Sequence, residues 1–558
     1  MKKQGFLYGS VILMASAAAA KVLGALFKIP LANMLGGTGM GYFSCAYGVF
    51  MPVYALSVTG LPTAAAALTA ENCACGHYSN VREIRKTALR VFGLLGIFSS
   101  LVMLLFSVPF CRYFAGSEYA LPAVLMIAPA VLTGCLTAVY RGCFEGMRNM
   151  YPTALSQLVE GVVKLVCGLA LCRMTLRFAE SDPAGFAETF SFLNIDMSRE
   201  EGVLSVAAAA AVSGITLSGI AGTAWLAVRL KLRGDGITAA ELASDSHIGS
   251  RRETVRSLVK IAVPVAIGSL VTNLTSLIDL GTIIRITEKS AAKYPVYFSE
   301  ICGGIKGAEN IANFIFGSFT GLAVTIFNLI PSITNMFGKG IIPSAAEAWA
   351  EKNAEKLRKC TADSLIAAAA VAVPAGIGIS VLAGPVLNVL FGSRPAETAL
   401  SVLPLEVLGT GVIFLSLTVP AFSVMQASGM AGMPVRIMLI GVAVKLVLNC
   451  LLVPIPQLNV TGAAVSTAVC YGIMSVISVF ILCRRTGISP GDIAVPLCGI
   501  LFSGILCGAA AYACSMLISW NSELLRLAAS VSAGGLAYAA AVFAQKDLRN
   551  RITGLAAS

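Results

Sequence analysis

The stretch Phe6–Met34 is the feature that most limits what this chain can fold into. It is a long apolar run that is interrupted by Lys21 and Lys28. About 20 helical residues cross the hydrocarbon core of a bilayer, so the run predicts a membrane-spanning helix. Lysines inside a span are costly, and residues seven positions apart return to one helix face, which Lys21 and Lys28 share with Gly24. This face should turn to water, to an acidic side chain or to an anionic ligand, unless Lys28 only extends to the headgroups.

The composition assigns the chain to the membrane proteins. Of its 558 residues, 57% are hydrophobic and 12% are charged, about half the charged share of a soluble protein. The apolar runs are far longer than the strands of a membrane barrel, so the spans are predicted to be helical. The net charge of +12 is read as a topology signal rather than as a nucleic-acid surface. The 16 cysteines are scattered and predict neither a disulfide framework nor a metal site.

Apolar segments recur along the whole chain and predict about 14 transmembrane helices. The predicted spans are 6–34, 41–70, 87–111, 119–140, 152–172, 203–228, 257–284, 308–336, 361–391, 398–425, 434–454, 460–483, 493–518 and 523–544.

Basic residues follow every second span, which predicts the orientation of the chain. Lys2 and Lys3 precede the first span, and clusters such as Arg82, Arg85 and Lys86 follow the even-numbered ones. The segment 178–201 after the fifth span is acidic. Cytoplasmic loops carry the excess of Lys and Arg, so both termini are expected in the cytoplasm.

Two pairs of matching segments indicate an internal repeat. LPTAAAALTAE at 61–71 resembles IPSAAEAWAEK at 342–352, with Pro62 and Pro343 offset by 281 residues (343 − 62). The segments 145–166 and 428–447 also match, and Lys164 and Lys445 are again offset by 281 residues (445 − 164). Two independent matches at one offset predict two parallel halves of about six helices each.

The repeat predicts the domain organisation of an all-α polytopic membrane protein. We expect an N-terminal six-helix lobe at 1–235, a C-terminal six-helix lobe at 236–486 and two additional transmembrane helices at 487–558. The acidic segment 178–201 is interpreted as an insertion in the first half. Parallel repeats around a central cavity are a transporter architecture, in which the site lies between the repeats.

Two segments resemble a known family. MLGGTGMGYFSCAYGVFMPVYALSVTGLPTAAAALTAE and RGCFEGMRNMYPTALSQLVEGVVKLVCGLAL are similar to the stage V sporulation protein B and polysaccharide-flippase group. That group belongs to the multidrug/oligosaccharidyl-lipid/polysaccharide exporter superfamily, whose fold is two bundles of six helices. The resemblance covers at least residues 1–485. It departs from the family at Gly36–Gly39, where an acidic residue is common, so no role of that acid is carried over.

The resemblance implies that the protein flips a lipid-linked oligosaccharide or a peptidoglycan precursor on an undecaprenyl-type carrier. Related lipid II flippases use cationic residues in a central cavity, including residues on the first helix. Lys21 and Lys28 are the positions of this sequence that match that role. The pyrophosphate of such a lipid is anionic, and lysine binds phosphate as a point charge without fixed geometry.

Two further lysines and two amides complete the candidate substrate site. Lys164 and Lys445 lie 11–12 residues after a proline that begins a span, which places both near mid-depth. Glu160 lies four residues before Lys164, so an internal ion pair is the structural alternative for that lysine. Gln157 and Asn273 are candidates for bonding sugar hydroxyls, although amides in spans also join helices to each other.

Asp279 in the seventh span is the candidate ion-coupling residue for H⁺ or Na⁺, with a counter-ion role for a cavity lysine as the alternative. No other cofactor and no metal are expected, and the chain contains no P-loop motif. We expect a monomer among membrane lipids, with no nucleic-acid partner.

Two other functions are weighed against the flippase. A multidrug or cation exporter of the same superfamily, coupled to H⁺ or Na⁺, would favour an acidic or aromatic cavity. A membrane glycosyltransferase would need a catalytic domain, for which the longest non-spanning segments, 173–202 and 229–256, are too short. We therefore expect a transporter and not an enzyme.

Overall fold

The computed structural model describes residues 6–549 apart from 194, 239–240, 243–249, 431, 519, 521 and 547. The basic residues Lys2 and Lys3, which entered the topology prediction, lie outside this part of the chain. The chain divides into two compact units, unit 1 at Met1–Gly281 and unit 2 at Thr282–Ser558. The lobe boundaries expected from the repeat stay a prediction.

Unit 1 is built from helices that are joined by short turns. In chain order they are α1 (Phe6–Val58), α2 (Leu61–Ala74), α3 (Tyr78–Leu105), α4 (Leu121–Ile127), α5 (Pro129–Gly146), α6 (Tyr151–Ser181), α7 (Pro183–Thr189), α8 (Glu200–Arg233) and α9 (Arg251–Lys293), whose last residues belong to unit 2. Single turns occur at Ser107–Pro109, Phe110–Ala115, Glu118–Ala120 and Ser191–Leu193.

The first helix is broken at Gly36. This residue has φ 62° and ψ −171°, a conformation that residues with a side chain rarely adopt. The apolar segment from Ile12 to Ala74 is 63 residues long, about 95 Å at the helical rise, which is more than twice the hydrocarbon core. The Gly36 break therefore separates two crossings, and the expected spans 6–34 and 41–70 lie on either side of it.

The described residues contain 13 apolar helical segments that are long enough to cross a membrane. The segment at Ile12–Ala74 holds two crossings, so these residues account for the 14 transmembrane passes that the sequence predicts. The all-α polytopic class is confirmed. One helix end differs from expectation, because α9 continues to Lys293 whereas the predicted span ends at 284.

The segment between α6 and α8 has a small core of its own. Asp182 accepts a hydrogen bond from the backbone N–H of Gly185 at 2.9 Å and caps α7. Phe186, Met197 and Val206 are buried together, which ties this segment to the beginning of α8. The predicted insertion at 178–201 is thus a folded element and not only a long connection.

The residues after α8 are tied to the beginning of α3. Arg82 Nε lies 2.9 Å and Arg85 Nη1 3.3 Å from Asp235 Oδ2, whose side chain is 4% exposed. Burial disfavours the ionised form of this carboxyl. The hydrogen bonds from Arg82 and from the backbone N–H of Ile237, together with the charge of Arg85, outweigh burial and hold the pKa of Asp235 below its usual range.

Unit 2 is also built from long helices that are joined by short turns. Its helices are α10 (Pro295–Ile301), α11 (Ala308–Ser318), α12 (Val324–Phe327), α13 (Leu329–Ala350), α14 (Ala354–Val381), α15 (Ala383–Phe391), α16 (Pro395–Ala427), α17 (Gly432–Leu452), α18 (Asn459–Thr486), α19 (Pro490–Leu517) and α20 (Glu523–Ala544), with a π-helical turn at Phe319–Ala323. Helix α16 packs against α13, α14 and α18, and α19 packs against α14 and α20.

Candidate functional site

Helices α1 and α6 of unit 1 pack side by side in the same direction. Ser16 near the beginning of α1 donates a hydrogen bond to Gln157 Oε1 at 3.0 Å. Further along α6, a Cβ on Gly161 would lie 2.6 Å from Leu23, and one on Gly168 would lie 2.6 Å from Phe27. These positions of α6, spaced by four and seven residues, share one helix face, and this face packs on α1.

Lys164 lies on that same face of α6, between the two glycines. It is three residues after Gly161 and four before Gly168, so its side chain leaves the helix toward α1. Because both glycines lack a side chain, the two backbones approach closely enough for Lys164 to reach the aromatic residues of α1. The sequence therefore fixes this lysine at the α1–α6 contact.

The ammonium group of Lys164 has neutral partners. Its Nζ donates a hydrogen bond to the Tyr47 hydroxyl at 3.0 Å. It also lies 5.0 Å from the ring centre of Phe27 and 5.6 Å from that of Tyr47, within the range of cation–π attraction. Among the described residues, no carboxylate lies within ion-pair distance of Lys164.

Lys21 and Lys28 complete a cluster of three cations, which we call the lysine cluster. Lys28 is half-buried and Lys21 is exposed, and the ammonium groups of Lys164 and Lys21 are both close enough to Lys28 to repel it. Like charges that are partly removed from water repel each other strongly. The cluster therefore has a positive field that an anion would relieve. The expectation that Lys21 and Lys28 share a face is consistent with this placement.

The structural alternative for Lys164, an ion pair with Glu160, is wrong. Glu160 Oε2 lies 2.8 Å from Arg141 Nη2 on α5, although no N–H of that nitrogen points at an acceptor. Arg141 also donates from Nε to Ser156 Oγ at 2.8 Å. The carboxylate fills the space beside Gly222, where a Cβ would lie 2.3 Å from it. The four-residue spacing of Glu160 and Lys164 on α6 indicates only pairs within that helix. The partner of Glu160 comes from α5.

Each of the two candidate amides makes a hydrogen bond within the protein. Gln157 accepts the hydrogen bond from Ser16 described above, and Asn273 donates to the backbone carbonyl of Ser269 at 2.8 Å, one turn earlier in α9. Gln157 lies one helical turn before Gly161 on the face of α6 that carries Lys164. Whether either amide binds a substrate stays a prediction.

Lys445 has a different environment from its repeat counterpart Lys164. It lies in α17 of unit 2 with 3% of its surface exposed, and it has polar interactions there. Asn449, one turn later, bonds Thr282 at 2.9 Å and accepts from Ser466. The repeat placed both lysines correctly within spans, but it did not indicate that one would be half-buried and the other fully buried.

Asp279, the candidate for ion coupling, is half-buried near the end of α9 within unit 1 and takes part in polar interactions. Its coupling role stays a prediction. Within the described residues, no three side chains of His, Cys, Asp or Glu come together as metal ligands.

The aromatic row that contains Tyr47, the hydrogen-bond partner of Lys164, was not predicted from the sequence. Phe43, Tyr47, Phe50 and Tyr54 form a continuous row on one side of the second half of α1, with ring centres 5.0, 6.1 and 5.1 Å apart. Their spacing by three and four residues was visible in the sequence and is typical of one helix face.

The fold defines a polytopic helical membrane protein, and comparison with known proteins gives its family. Residues 6–349 match the sequence profile of the family described as polysaccharide biosynthesis protein, and residues 309–537 match that of lipid II flippase MurJ. The first match covers more than half of the chain, so the chain belongs to the polysaccharide biosynthesis protein family.

Curated relatives support the same class. Stage V sporulation protein B of Bacillus subtilis (strain 168) is 25% identical over 543 residues, which cover 96% of this chain and 95% of that protein. Lipid II flippase MurJ of the same organism is 23% identical over 489 residues, which cover 86% and 82%. The chain is therefore a membrane flippase or transporter and not a catalytic enzyme.

Solved structures share the fold. A lipid II flippase MurJ in an inward closed conformation has a TM-score of 0.66 at 12% identity and covers 97% of this chain and 100% of its own. A multidrug resistance MATE family transporter of the MOP superfamily in an inward-facing conformation has a TM-score of 0.59 at 13% identity, covering 86% and 98%.

Proposed function

We propose that this protein flips an anionic lipid-linked oligosaccharide or peptidoglycan precursor, with the lysine cluster binding its pyrophosphate. The observation that carries the proposal is the convergence of Lys21, Lys28 and Lys164 in unit 1, where the partners of Lys164 among the described residues are neutral. A cation within a membrane span is costly unless it faces water or an opposite charge accompanies it. An anionic headgroup supplies that charge when the substrate is bound.

The partners of Lys164 suit a site that must release its ligand. A phenol and an aromatic ring stabilise the ammonium group only moderately, so an anion can replace the Tyr47 contact without first separating a salt bridge. Lysine also imposes no bidentate geometry on phosphate. The cluster can therefore hold a headgroup in one state and release it in the next.

The acid nearest in sequence is kept away from the cluster. Glu160 is paired with Arg141, so its charge is balanced within the helix contact of α5 and α6. The field at Lys164 therefore stays positive. This feature favours an anionic cargo over the drug or cation that the alternative exporter function would need.

Alternating access is the transport mechanism that we propose. Proteins with this fold have solved structures in inward-facing, inward closed and outward-facing conformations. We further propose that H⁺ or Na⁺ coupling involves Asp279, that both termini are cytoplasmic and that the protein works as a monomer in the bacterial plasma membrane.

Lipids that co-purify with the protein test the proposed cargo. Native mass spectrometry of the wild-type protein should detect a bound isoprenoid diphosphate. Lys164→Gln should reduce the bound fraction about tenfold, as expected when a charged hydrogen-bonding partner is lost. Lys231→Gln is the matched control, because Lys231 lies at the end of α8, and it should retain the lipid. Equal retention in all three proteins would contradict the proposed site.

A further inference from the structure

Unit 2 contains an apolar groove between α16 and α18. The groove has a volume of about 480 Å³ and is lined by Thr410 and Phe414 of α16 and by α18 residues from Ala468 to Ile477. This volume falls within the range of about 300–1,000 Å³ that is common for ligand sites. Apart from the Thr410 hydroxyl, the side chains of the lining are apolar, so the groove offers almost nothing to a polar ligand.

The groove is open because α18 lacks a side chain at its middle. A Cβ on Gly472 would lie 3.5 Å from the Phe414 ring, so the glycine leaves room beside that ring. Val469 and Val476, one turn to either side, are 40% and 66% exposed. The groove therefore opens sideways on a membrane-spanning helix, where the surroundings are hydrocarbon.

The length of the groove matches a single acyl chain. From Ala468 to Ile477 the α18 axis rises about 14 Å, close to half of the roughly 30 Å hydrocarbon core and thus to one leaflet. A long isoprenoid tail would extend well beyond a groove of this length.

A cation lies at the end of the same helix stripe. Val476, Phe480 and Arg484 follow each other at four-residue spacing, and the Arg484 guanidinium lies 4.8 Å from the Phe480 ring centre. Arg484 is about 12 Å along the axis from Val476. Within the part of the chain that the structure describes, Arg484 has no carboxylate partner, so its charge is available to a ligand.

The end of α18 is held in place by a second arginine. Arg358 of α14 donates from Nε to the backbone carbonyl of Thr486 at 2.9 Å. A cation at a helix C-terminus satisfies a free carbonyl and balances the helix dipole. This contact fixes the backbone that carries Arg484 and adds a second positive charge at the level of the headgroups.

We propose that this groove and Arg484 bind one anionic phospholipid from the leaflet that surrounds the C-terminal end of α18. One acyl chain lies along Phe414 and Gly472, and the phosphate lies at Arg484. The site is distinct from the lysine cluster, which is in unit 1, and it does not depend on the proposed cargo.

Lipid retention tests the proposal. The protein, reconstituted with equimolar phosphatidylglycerol and phosphatidylcholine, is extracted, and its bound lipids are counted by native mass spectrometry. Wild type should retain one phosphatidylglycerol. Arg484→Gln should reduce that fraction about tenfold, as for the loss of a charged hydrogen bond. Arg485→Gln, a quarter-turn around the same helix, should leave it unchanged.

A second variant tests the groove itself. Gly472→Leu should fill the space beside Phe414 and displace the lipid, whereas Gly535→Leu on α20, where a Cβ meets nothing within 4 Å, should not. If Gly472→Leu is misfolded by size-exclusion chromatography, the smaller Gly472→Ala replaces it and should weaken retention partially. Equal retention in all variants, equal retention of phosphatidylcholine, or replacement of the phospholipid by an added isoprenoid phosphate would overturn the proposal.

Discussion

Lys164 and Arg141 lie on neighbouring helices of unit 1, yet their partners differ in charge. Arg141 has the carboxylate of Glu160, and Lys164 has the Tyr47 hydroxyl and the Phe27 ring. The arginine charge is therefore neutralised within the protein, whereas no carboxylate of the described residues pairs with the lysine. This difference between two residues separates a structural cation from one that can bind a ligand.

The Arg141–Glu160 pair should be important for stability. Glu160→Gln leaves the partly buried Arg141 without a carboxylate, and leaving such a group unpaired costs about 1–3 kcal/mol. We expect a lower midpoint of thermal unfolding in detergent, with partial recovery in the double variant Arg141→Met, Glu160→Gln. Equal loss in the single and double variants would contradict this pairing.

Residue-scale chemistry was only partly predictable from the sequence. The seven-residue spacing predicted that Lys21 and Lys28 share a face, because helical periodicity is a local property. The partner of Glu160 was not predictable, because Arg141 comes from another helix. The burial of Lys445 was missed for the same reason, since a repeat in sequence does not fix the packing around each copy.

At the scale of the helices, small residues decide how closely α1, α6 and α8 approach each other. Gly168 packs on Phe27, and a Cβ on Gly214 of α8 would lie 2.4 Å from the Gly168 backbone. Contacts of this kind are common where membrane helices associate through small residues. The position of Lys164 depends on this packing.

Gly214→Ala should therefore destabilise unit 1. The added methyl group would meet backbone atoms, which cannot move aside as a side chain can, and overpacking typically costs about 1–3 kcal/mol. Gly24→Ala on α1 is the matched control, because a Cβ there meets nothing within 4 Å. The midpoint of thermal unfolding in detergent should fall in Gly214→Ala and stay unchanged in Gly24→Ala. An unchanged midpoint in Gly214→Ala would be evidence against the close contact between Gly214 and Gly168.

The contact between the beginning of α3 and Asp235 should make stability depend on pH. The pKa of Asp235 is lower in the folded state than the roughly 3.9 of an unfolded aspartate. The ionised carboxyl therefore stabilises the fold above that pH, and this contribution is lost as the pH falls through the folded-state pKa.

Asp235→Asn should accordingly unfold at a lower temperature than wild type at pH 7, with the difference shrinking below about pH 4. The difference is measured by thermal unfolding of both proteins between about pH 3 and pH 7. Asp196→Asn is the control, because its pair with Arg199 is exposed and should contribute little. A difference that stays constant with pH would exclude the ion pairs as its cause.

For the whole molecule, the fold class and the number of membrane spans were predictable from the sequence. The contacts between helices were less so. Long apolar runs are a local property of the chain, and the 14 crossings follow from them. The break at Gly36 lies in the glycine-rich stretch Gly36–Gly39, between two predicted spans. The aromatic row of α1 and the groove of unit 2 depend on packing between helices, which apolar spans of similar composition do not reveal.

Transport in proteoliposomes is the most direct test of the central claim. Wild-type protein should accelerate the movement of a fluorescent isoprenoid-diphosphate glycan between leaflets. The triple variant Lys21→Gln, Lys28→Gln, Lys164→Gln should reduce this rate to that of protein-free vesicles, whereas Lys231→Gln should transport normally. Unchanged transport by a correctly folded triple variant would contradict the assignment of the lysine cluster as the site of the anionic headgroup.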